Sequence, residues 1–328
     1  MRTNKMNNMD LFTFKANQAY KKHIKTQSKA ALEVLNQTID WPSLIRPLQA
    51  AIPEQKRGRK RFDLTVIVKS FILQHIYGLS DPRLEEEIAD RRSFQLFLGL
   101  TSGDSIPDET TICRYRELFA DKGLDKQLFS SFNQQLKEKG LLLEHGTLVD
   151  ATLKQSYATP KSGRDKDASH TVRRNKSYYG YKGHIGMDST SKIIHSIEFT
   201  PAHVHDSACF DQLVHGKEQI VIADKGYVQR ERKQKLRAKD TVCGIMDKGY
   251  RSRSLSSKQK KRNKKLSGVR NAVERPFGFS KQVLNYTHSR YYDLPRNRFQ
   301  FTMVMIIYNM RRYLSLLKEQ DHLQPIVA

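Results

Sequence analysis

With 328 residues, 38% of them hydrophobic, the chain is long enough to bury a core and too apolar to be a disordered tail. Its 58 Lys and Arg against 34 Asp and Glu leave a formal charge of +24, a field that attracts polyanions. Nucleic acid is the usual partner of such a field, and a merely soluble basic protein is the alternative. Three scattered cysteines, Cys113, Cys209 and Cys243, form no C-x-x-C pair, which argues against structural zinc or a disulfide framework and suits a reducing cytosol.

Residues 1–25 are polar and basic with weak periodicity and read as a flexible arm. From 30 to 51, apolar residues recur at helical spacing (Leu32, Val34, Leu35, Ile39), until Pro53 and a basic run at 56–61 break the pattern. That run is either a solvated loop or a phosphate contact. Helices are expected at 64–77, 83–90, 94–100 and 110–119, with Asp81 capping the second, Pro82 at its first position, and a turn and cap at Ser105-Ile106-Pro107-Asp108. Such a cluster suits either a helix-turn-helix DNA reader, with Arg114 and Arg116 on its last helix, or a dimerisation module. Residues 26–140 therefore form an all-α N-terminal domain.

Past Gly140 the texture turns to strands. Thr147-Leu148-Val149, 178–187, 191–199, 219–223 and, more weakly, 241–246 are β-branched or alternating. A glutamate-bearing helix is expected from about Gly268, and the apolar stretch 299–310 is about half the ~20 residues of a membrane span. Broken by Gln300, Thr302 and Asn309, it reads as a buried helix of a soluble protein. Strands followed by helices make 141–328 a mixed α/β domain.

Two of these strands run into an aspartate, Asp150 and Asp224. Singly each is ordinary, since turns favour aspartate. Together with Glu274, they offer three carboxylates that can converge from distant parts of the chain. Close carboxylates repel and need cations, and hard divalent ions prefer oxygen ligands. Paired metal ions would activate a water or a 3′-hydroxyl and stabilise the leaving oxygen of a phosphodiester. Between Asp224 and Glu274 lies the densest basic segment, including Lys261, Arg262, Lys264 and Lys265, which suits a DNA-backbone clamp.

These residues carry a resemblance. Over about 45–315 the sequence resembles the DDE transposases of bacterial insertion sequences, most closely the insertion-sequence-five family. Gly146-Thr147-Leu148-Val149-Asp150-Ala151-Thr152 looks like the first-aspartate strand, and Tyr178-Tyr179-Gly180-Tyr181-Lys182-Gly183-His184-Ile185-Gly186-Met187-Asp188 like the hairpin strand. Thr200-Pro201-Ala202-His203-Val204-His205-Asp206 is similar to the A-N-x-H-D loop, and Ala223-Asp224-Lys225-Gly226-Tyr227 to the D-x-G-Y motif. Arg270, Glu274 and Lys281 fit the spacing of a Tyr-Arg-Glu-Lys signature, although Ser267 stands at its tyrosine position and His203 replaces the usual asparagine.

The resemblance implies an RNase H-like catalytic domain with Asp150, Asp224 and Glu274 binding two Mg2+ or Mn2+ ions. It implies that Arg270 and Lys281 grip transposon-end DNA, that terminal inverted repeats are bound, cut and joined to target DNA, and that a homodimer pairs two ends in the bacterial cytoplasm without a membrane partner. A nuclease without strand transfer and a non-cutting DNA-binding protein are the alternatives. His184, His203 and His205 are weaker zinc candidates, since one sits in a strand and the others in a loop. Tyr178, Tyr179, Tyr181 and Tyr227 either stack on bases or belong to the core.

Overall fold

The computed structural model describes residues 27–52, 61–101, 103–173, 175–250 and 252–321. The expected arm at 1–25 and most of the basic run at 56–61 lie outside them. The chain divides into two compact units, 1–115 and 116–328.

The first unit is helical: α1 (Gln27–Thr38), α2 (Trp41–Ala51), α3 (Leu64–Tyr77), α4 (Asp81–Asp90), α5 (Arg92–Leu98) and the start of α6 (Glu109–Lys122). Its starts are set by short polar side chains. The Asp40 carboxylate accepts from Ser43 N, Asp63 from Thr65 N, and Asp108 from Thr111 N (2.6 Å). The cap of α4 is Ser80, which accepts from Arg83 N, and not the expected Asp81. Asp81 instead takes a hydrogen bond from Gln74 Nε2 (2.6 Å), tying α4 to α3. Trp41 meets Phe97 edge-on at 5.9 Å in a core with Leu44, Ile67, Phe71 and Ile88.

The second unit holds α7 (Leu124–Glu138), for which no helix is expected from the sequence, α8 (Phe210–Leu213), α9 (Arg230–Ala238) and a seven-stranded sheet. The unit boundary falls at 115/116, not near 140, because α7 packs on the long C-terminal helix α12 (Leu294–Asp321). Asp125 receives Arg298 (3.2 Å), and Asn309 donates to Asn133 (3.0 Å) and to Ile194 O (2.7 Å). These pairings also explain the polar breaks in 299–310: Gln300 accepts from Arg290 N and Thr302 donates to Asp125, so a buried helix keeps its polar groups satisfied. Among the described residues no helix is long and apolar enough to cross a membrane.

The sheet is built from β1 (Gly146–Ser156), β2 (Ser169–Arg173), β3 (Lys176–Asp188), β4 (Ile194–Pro201), β5 (Ile220–Ala223), β6 (Val242–Ile245) and β7 (His288–Ser289). It runs β2-β3-β1-β5-β6, with β4 also on β3 and β7 on β1. β1, β3 and β4 are antiparallel neighbours, whereas β5 and β6 join parallel to β1. This is the mixed, RNase H-like order, with helices packed on the sheet. Gly183 of β3 lies under α12, where a Cβ would stand 2.4 Å from Phe301 Cε2, so only glycine lets the helix sit this close.

At the start of β1, three residues before Asp150, Thr147 Oγ1 lies 3.0 Å from His195 Nε2 and 3.2 Å from Glu218 Oε1, with the His215 ring 5.1 Å from that of His195. Burial first, then His215, holds the His195 imidazole down to about 4, against the opposing pull of Asp188, Glu218 and Glu144. The unfolded chain then binds a proton near pH 6.5 that the folded chain refuses until about pH 4, so stability falls as pH drops through that window, by about 3 kcal/mol at the bottom of it. Urea unfolding at pH 7 and pH 4 should show a smaller acid loss in His195→Gln than in the wild type. Parallel losses would assign the acid sensitivity elsewhere.

Candidate active site

The parallel pairing of β1 with β5 ends at Val149↔Ala223. The next residue on each strand is an aspartate, so register alone sets Asp150 and Asp224 side by side. The expectation that both strands stop at their aspartates holds only for β5. β1 continues through Asp150 to Ser156, still paired with β3 on its other edge (Asp150↔Ile185). Asp224 caps a short 3-10 turn, Lys225–Tyr227, and accepts from Lys225 N (2.7 Å).

Glu274 arrives differently from the expectation. The helix expected from about Gly268 begins earlier and takes in the lysine run. It is helix α10 (Ser257–Arg270), started by a capping box between Ser256 and Gln259. Glu274 ends the 3-10 turn Asn271–Glu274 that follows, before helix α11 (Arg275–Gln282). Buried Val273 anchors that turn, leaving Glu274 exposed beside β1.

Arg270 joins the acids. It donates from Nη1 to Asp150 Oδ2 (3.0 Å) and from Nη2 to Glu274 Oε1 (2.9 Å). Its side chain is only 15% exposed and its Nε is buried without a hydrogen-bond partner. Arg270, expected to grip DNA, is thus committed to two of the three carboxylates. Burial pushes the Asp150 carboxyl up to about 6. Arg270 and the Ala151 N–H oppose that rise, and Glu274 and Asp224 add to it. The mutual influence of the three acids marks them as one electrostatic neighbourhood.

As a metal site the arrangement fits in its chemistry and is open in its geometry. The donors are anionic oxygens that repel one another, as a hard divalent ion requires. Among the described residues, however, no three His, Cys, Asp or Glu side chains stand together as a finished cage. Between Asp150 and Glu274 stands the Arg270 guanidinium, which supplies compensating charge there.

A cleft of about 330 Å³ opens over the aspartates, walled by Lys182, His203, His205, Asp206 and Tyr227. Lys182, which the sequence reading left without a role, pairs with Asp206 (2.9 Å) and donates to Val204 O (2.8 Å). His203 is pinned at 2.9 Å to Ser169 Oγ, and His205 accepts from Ser207 N, so both histidines shape the loop. His184 is buried against Thr200 (3.0 Å). Tyr181 is core, stacked on Phe199 at 5.3 Å. Tyr227 is buried, with its hydroxyl unpartnered. Lys182 was legible in principle, being four residues beyond Tyr178 on a strand whose odd and even positions face opposite ways.

The remaining basic candidates divide. Lys261, Lys264 and Lys265 project from α10, which buries no residue. Arg262 faces inward, bonding Ile245 O (3.0 Å), Cys243 O (2.6 Å) and Asp247 (3.0 Å), which staples α10 to the end of β6. Arg114 is exposed, but Arg116 is 3% exposed with its guanidinium 5.0 Å from the Tyr291 ring centre, so it serves packing and cannot reach DNA from there. Lys281 is exposed on α11.

Two family models match. One, described as "Transposase DDE domain", covers residues 143–310, just over half of the chain. A second, described as "Transposase domain (DUF772)", covers residues 18–118. Among solved structures, the chain is similar to a piggyBac transposase synaptic complex with hairpin DNA, at 11% identity and a TM-score of 0.48, over 90% of this chain and 76% of that one. The DDE model spans the sheet that carries Asp150 and Asp224 and the turn that carries Glu274, and on that match the chain belongs to the DDE transposase-domain family: it is a transposase.

Proposed function

We propose that this transposase belongs to the insertion-sequence-five family and acts on double-stranded DNA. It binds the terminal inverted repeats of its element, cuts a strand at each end by hydrolysis, and joins the freed 3′-hydroxyls to target DNA. One observation carries this reading: acids separated by 74 and 50 residues in sequence come together, Asp150 and Asp224 by strand register and Asp150 and Glu274 through Arg270. Structural carboxylates have no need of such company, since each raises the cost of ionising the next.

Asp150, Asp224 and Glu274 would hold Mg2+ or Mn2+, which supplies Lewis-acid stabilisation of the attacking and leaving oxygens. In cutting, a water oxygen forms a bond to phosphorus while the bond to the 3′-oxygen breaks. The water's oxygen stays on phosphorus as a 5′-phosphate, and its proton ends on the departing oxygen, which becomes a 3′-hydroxyl. In joining, that hydroxyl takes the water's place: its oxygen bonds the phosphorus of a target phosphodiester, the target's own bond to its 3′-oxygen breaks, and the hydroxyl's proton ends on that leaving oxygen. The chain's own part is to position and to balance charge. Lys182 keeps the Asp206 loop at the cleft mouth, Arg270 offsets the acids, and Lys261, Lys264, Lys265 and Lys281 attract the DNA backbone. Two ends imply two copies, hence a homodimer.

The test uses the short inverted repeats bounding the coding sequence. Intact ends with Mg2+ should yield nicked 3′-hydroxyl products, and precut ends should yield target-linked strands. Cutting without target-linked product would make the chain a nuclease. Binding without cutting in either metal would remove the proposal.

A further inference from the structure

Between β1 and β3 the chain inserts a ribbon that has no part in holding the carboxylates. The pairing of β3 with β1 stops at Gly180 and its pairing with β4 at Tyr181, so residues 176–179 pair with β2 alone. β2 and the start of β3 therefore leave the sheet as a two-stranded ribbon about 16 Å long. Two strands by themselves hold poorly in water, and this pair is rooted at its base. There the Tyr179 hydroxyl donates to Asp165 O (2.6 Å) and His203 N donates to Ser169 Oγ (2.9 Å). Thr171, Val172 and Arg173 of the ribbon form part of the wall of the aspartate cleft. Val172, at 72%, is the most exposed large hydrophobic among the described residues. Side chains alternate along a strand, so His170, Val172 and its cross-strand partner Ser177 share one face, and all three are exposed. Arg173 and Lys176 stand opposite each other near the tip, exposed as well.

We infer that this ribbon reads the base pairs beside the cut, entering the major groove of the transposon end with Val172 on a thymine methyl and Arg173 and Lys176 on the phosphates of the groove rims. The inference rests on the DNA-cutting function proposed above. Lysines such as those of α10 meet phosphates of any sequence, so recognition of a particular repeat needs a reader elsewhere. A major groove about 12 Å wide admits a two-stranded ribbon. A valine offers nothing to a phosphate, whereas the thymine methyl is the apolar group that a base pair shows in that groove. His170 and Ser177 beside it supply hydrogen-bonding groups of the kind that base edges match. No Asp or Glu occurs between Asp167 and Asp188, so the ribbon meets a polyanion without repulsion. The cleft it walls also holds Asp150 and Asp224, which places the bases within its reach next to the reacting phosphate.

The experiment uses the full chain in EDTA, so that binding is read without cutting. The probes are duplexes ending in the terminal repeat, the same duplexes with permuted bases, and a series in which single thymines near the end are replaced by uracil, which removes only the methyl. The wild type should prefer the repeat by at least about tenfold. Uracil at one position should weaken binding about fourfold, the worth of one buried methyl. Val172→Ala should bind the thymine and uracil duplexes alike. Arg173→Ala and Lys176→Ala should weaken repeat and permuted duplexes by the same factor, each lowering the salt slope by about one. All three side chains are exposed, and unchanged melting temperatures check that the variants fold. The inference is overturned if no thymine methyl matters, if the uracil effect persists in Val172→Ala, or if both cation variants keep the wild-type salt slope. A chain that prefers its repeat and cuts it without regard to the ribbon loses only this inference. One that binds repeat and permuted duplexes alike loses the proposed function as well.

Discussion

Alanine at Asp150, Asp224 or Glu274 is expected to lower metal-dependent end cleavage by at least about a thousandfold, while end binding stays within a few-fold. The size of the effect follows from the way the acids act as a set. Each contributes charge to a point that the others already make costly to occupy without a cation. Loss of one therefore removes more than a third of the site. The three variants should differ in stability, which separates chemistry from folding. Glu274 is exposed and, among the described residues, its ion pair is with Arg270, so Glu274→Ala should melt close to the wild type. Asp150 is half-buried in a central strand, its side chain 18% exposed, and Asp150→Asn, which keeps its shape, is the better probe there. Quantitative cleavage assays under single-turnover conditions decide the matter. A variant that cuts at the wild-type rate takes that residue out of the site.

The second large effect concerns Arg270. In Arg270→Ala the Asp150 carboxylate keeps its burial and loses its counter-charge, a change that costs about 3 kcal/mol when one partner of a buried pair is removed. For a unit of this size that is about 6–12 °C in melting temperature, measured with chelator present. Added Mn2+ should then raise the melting temperature of the variant by more than that of the wild type, since the ion and the guanidinium neutralise the same acids. The gain has a pH sign. A metal ion needs Asp150 ionised, and its carboxyl sits at about 6, so Mn2+ affinity measured by calorimetry should climb as pH rises through 6 and level off above it. If chelated Arg270→Ala melts with the wild type, and Mn2+ shifts both equally, the guanidinium is not the stand-in charge.

Much of this site is legible before any coordinates. Apolar runs ending in Asp150 and Asp224 announce strands leading to acids, because a strand buried on both faces has nowhere else to put a charge. That the two strands are parallel neighbours, with their last pair at Val149↔Ala223, is long-range information that no local pattern carries. The lysine run at 258–265 hides its helix for a related reason. α10 has no apolar stripe to give a 3.6-residue period, and its start is written only in the Ser256–Gln259 capping box. Charge misleads at Arg116 and Arg262, where a cation that looks like surface is spent on a ring face and on strand carbonyls. The commitment of Arg270 to two acids is invisible in sequence, since spacing shows that Arg270 and Glu274 share a helical face but not that Asp150 completes the group.

Helix α10 carries a last consequence. Lys260 and Lys264, and Lys261 and Lys265, stand one turn apart, and each such like-charged pair disfavours a helix by about 0.2–0.5 kcal/mol. No buried side chain offsets that repulsion, and Arg262 and Asn263 supply the ties to residues 243–247. A polyanion lying along the helix turns the same lysines from mutually repelling into jointly attracted. The segment that runs into Arg270 and Glu274 is therefore stiffest when a phosphate backbone is beside it, and the firmness of the acidic centre rises with the presence of the molecule it acts upon.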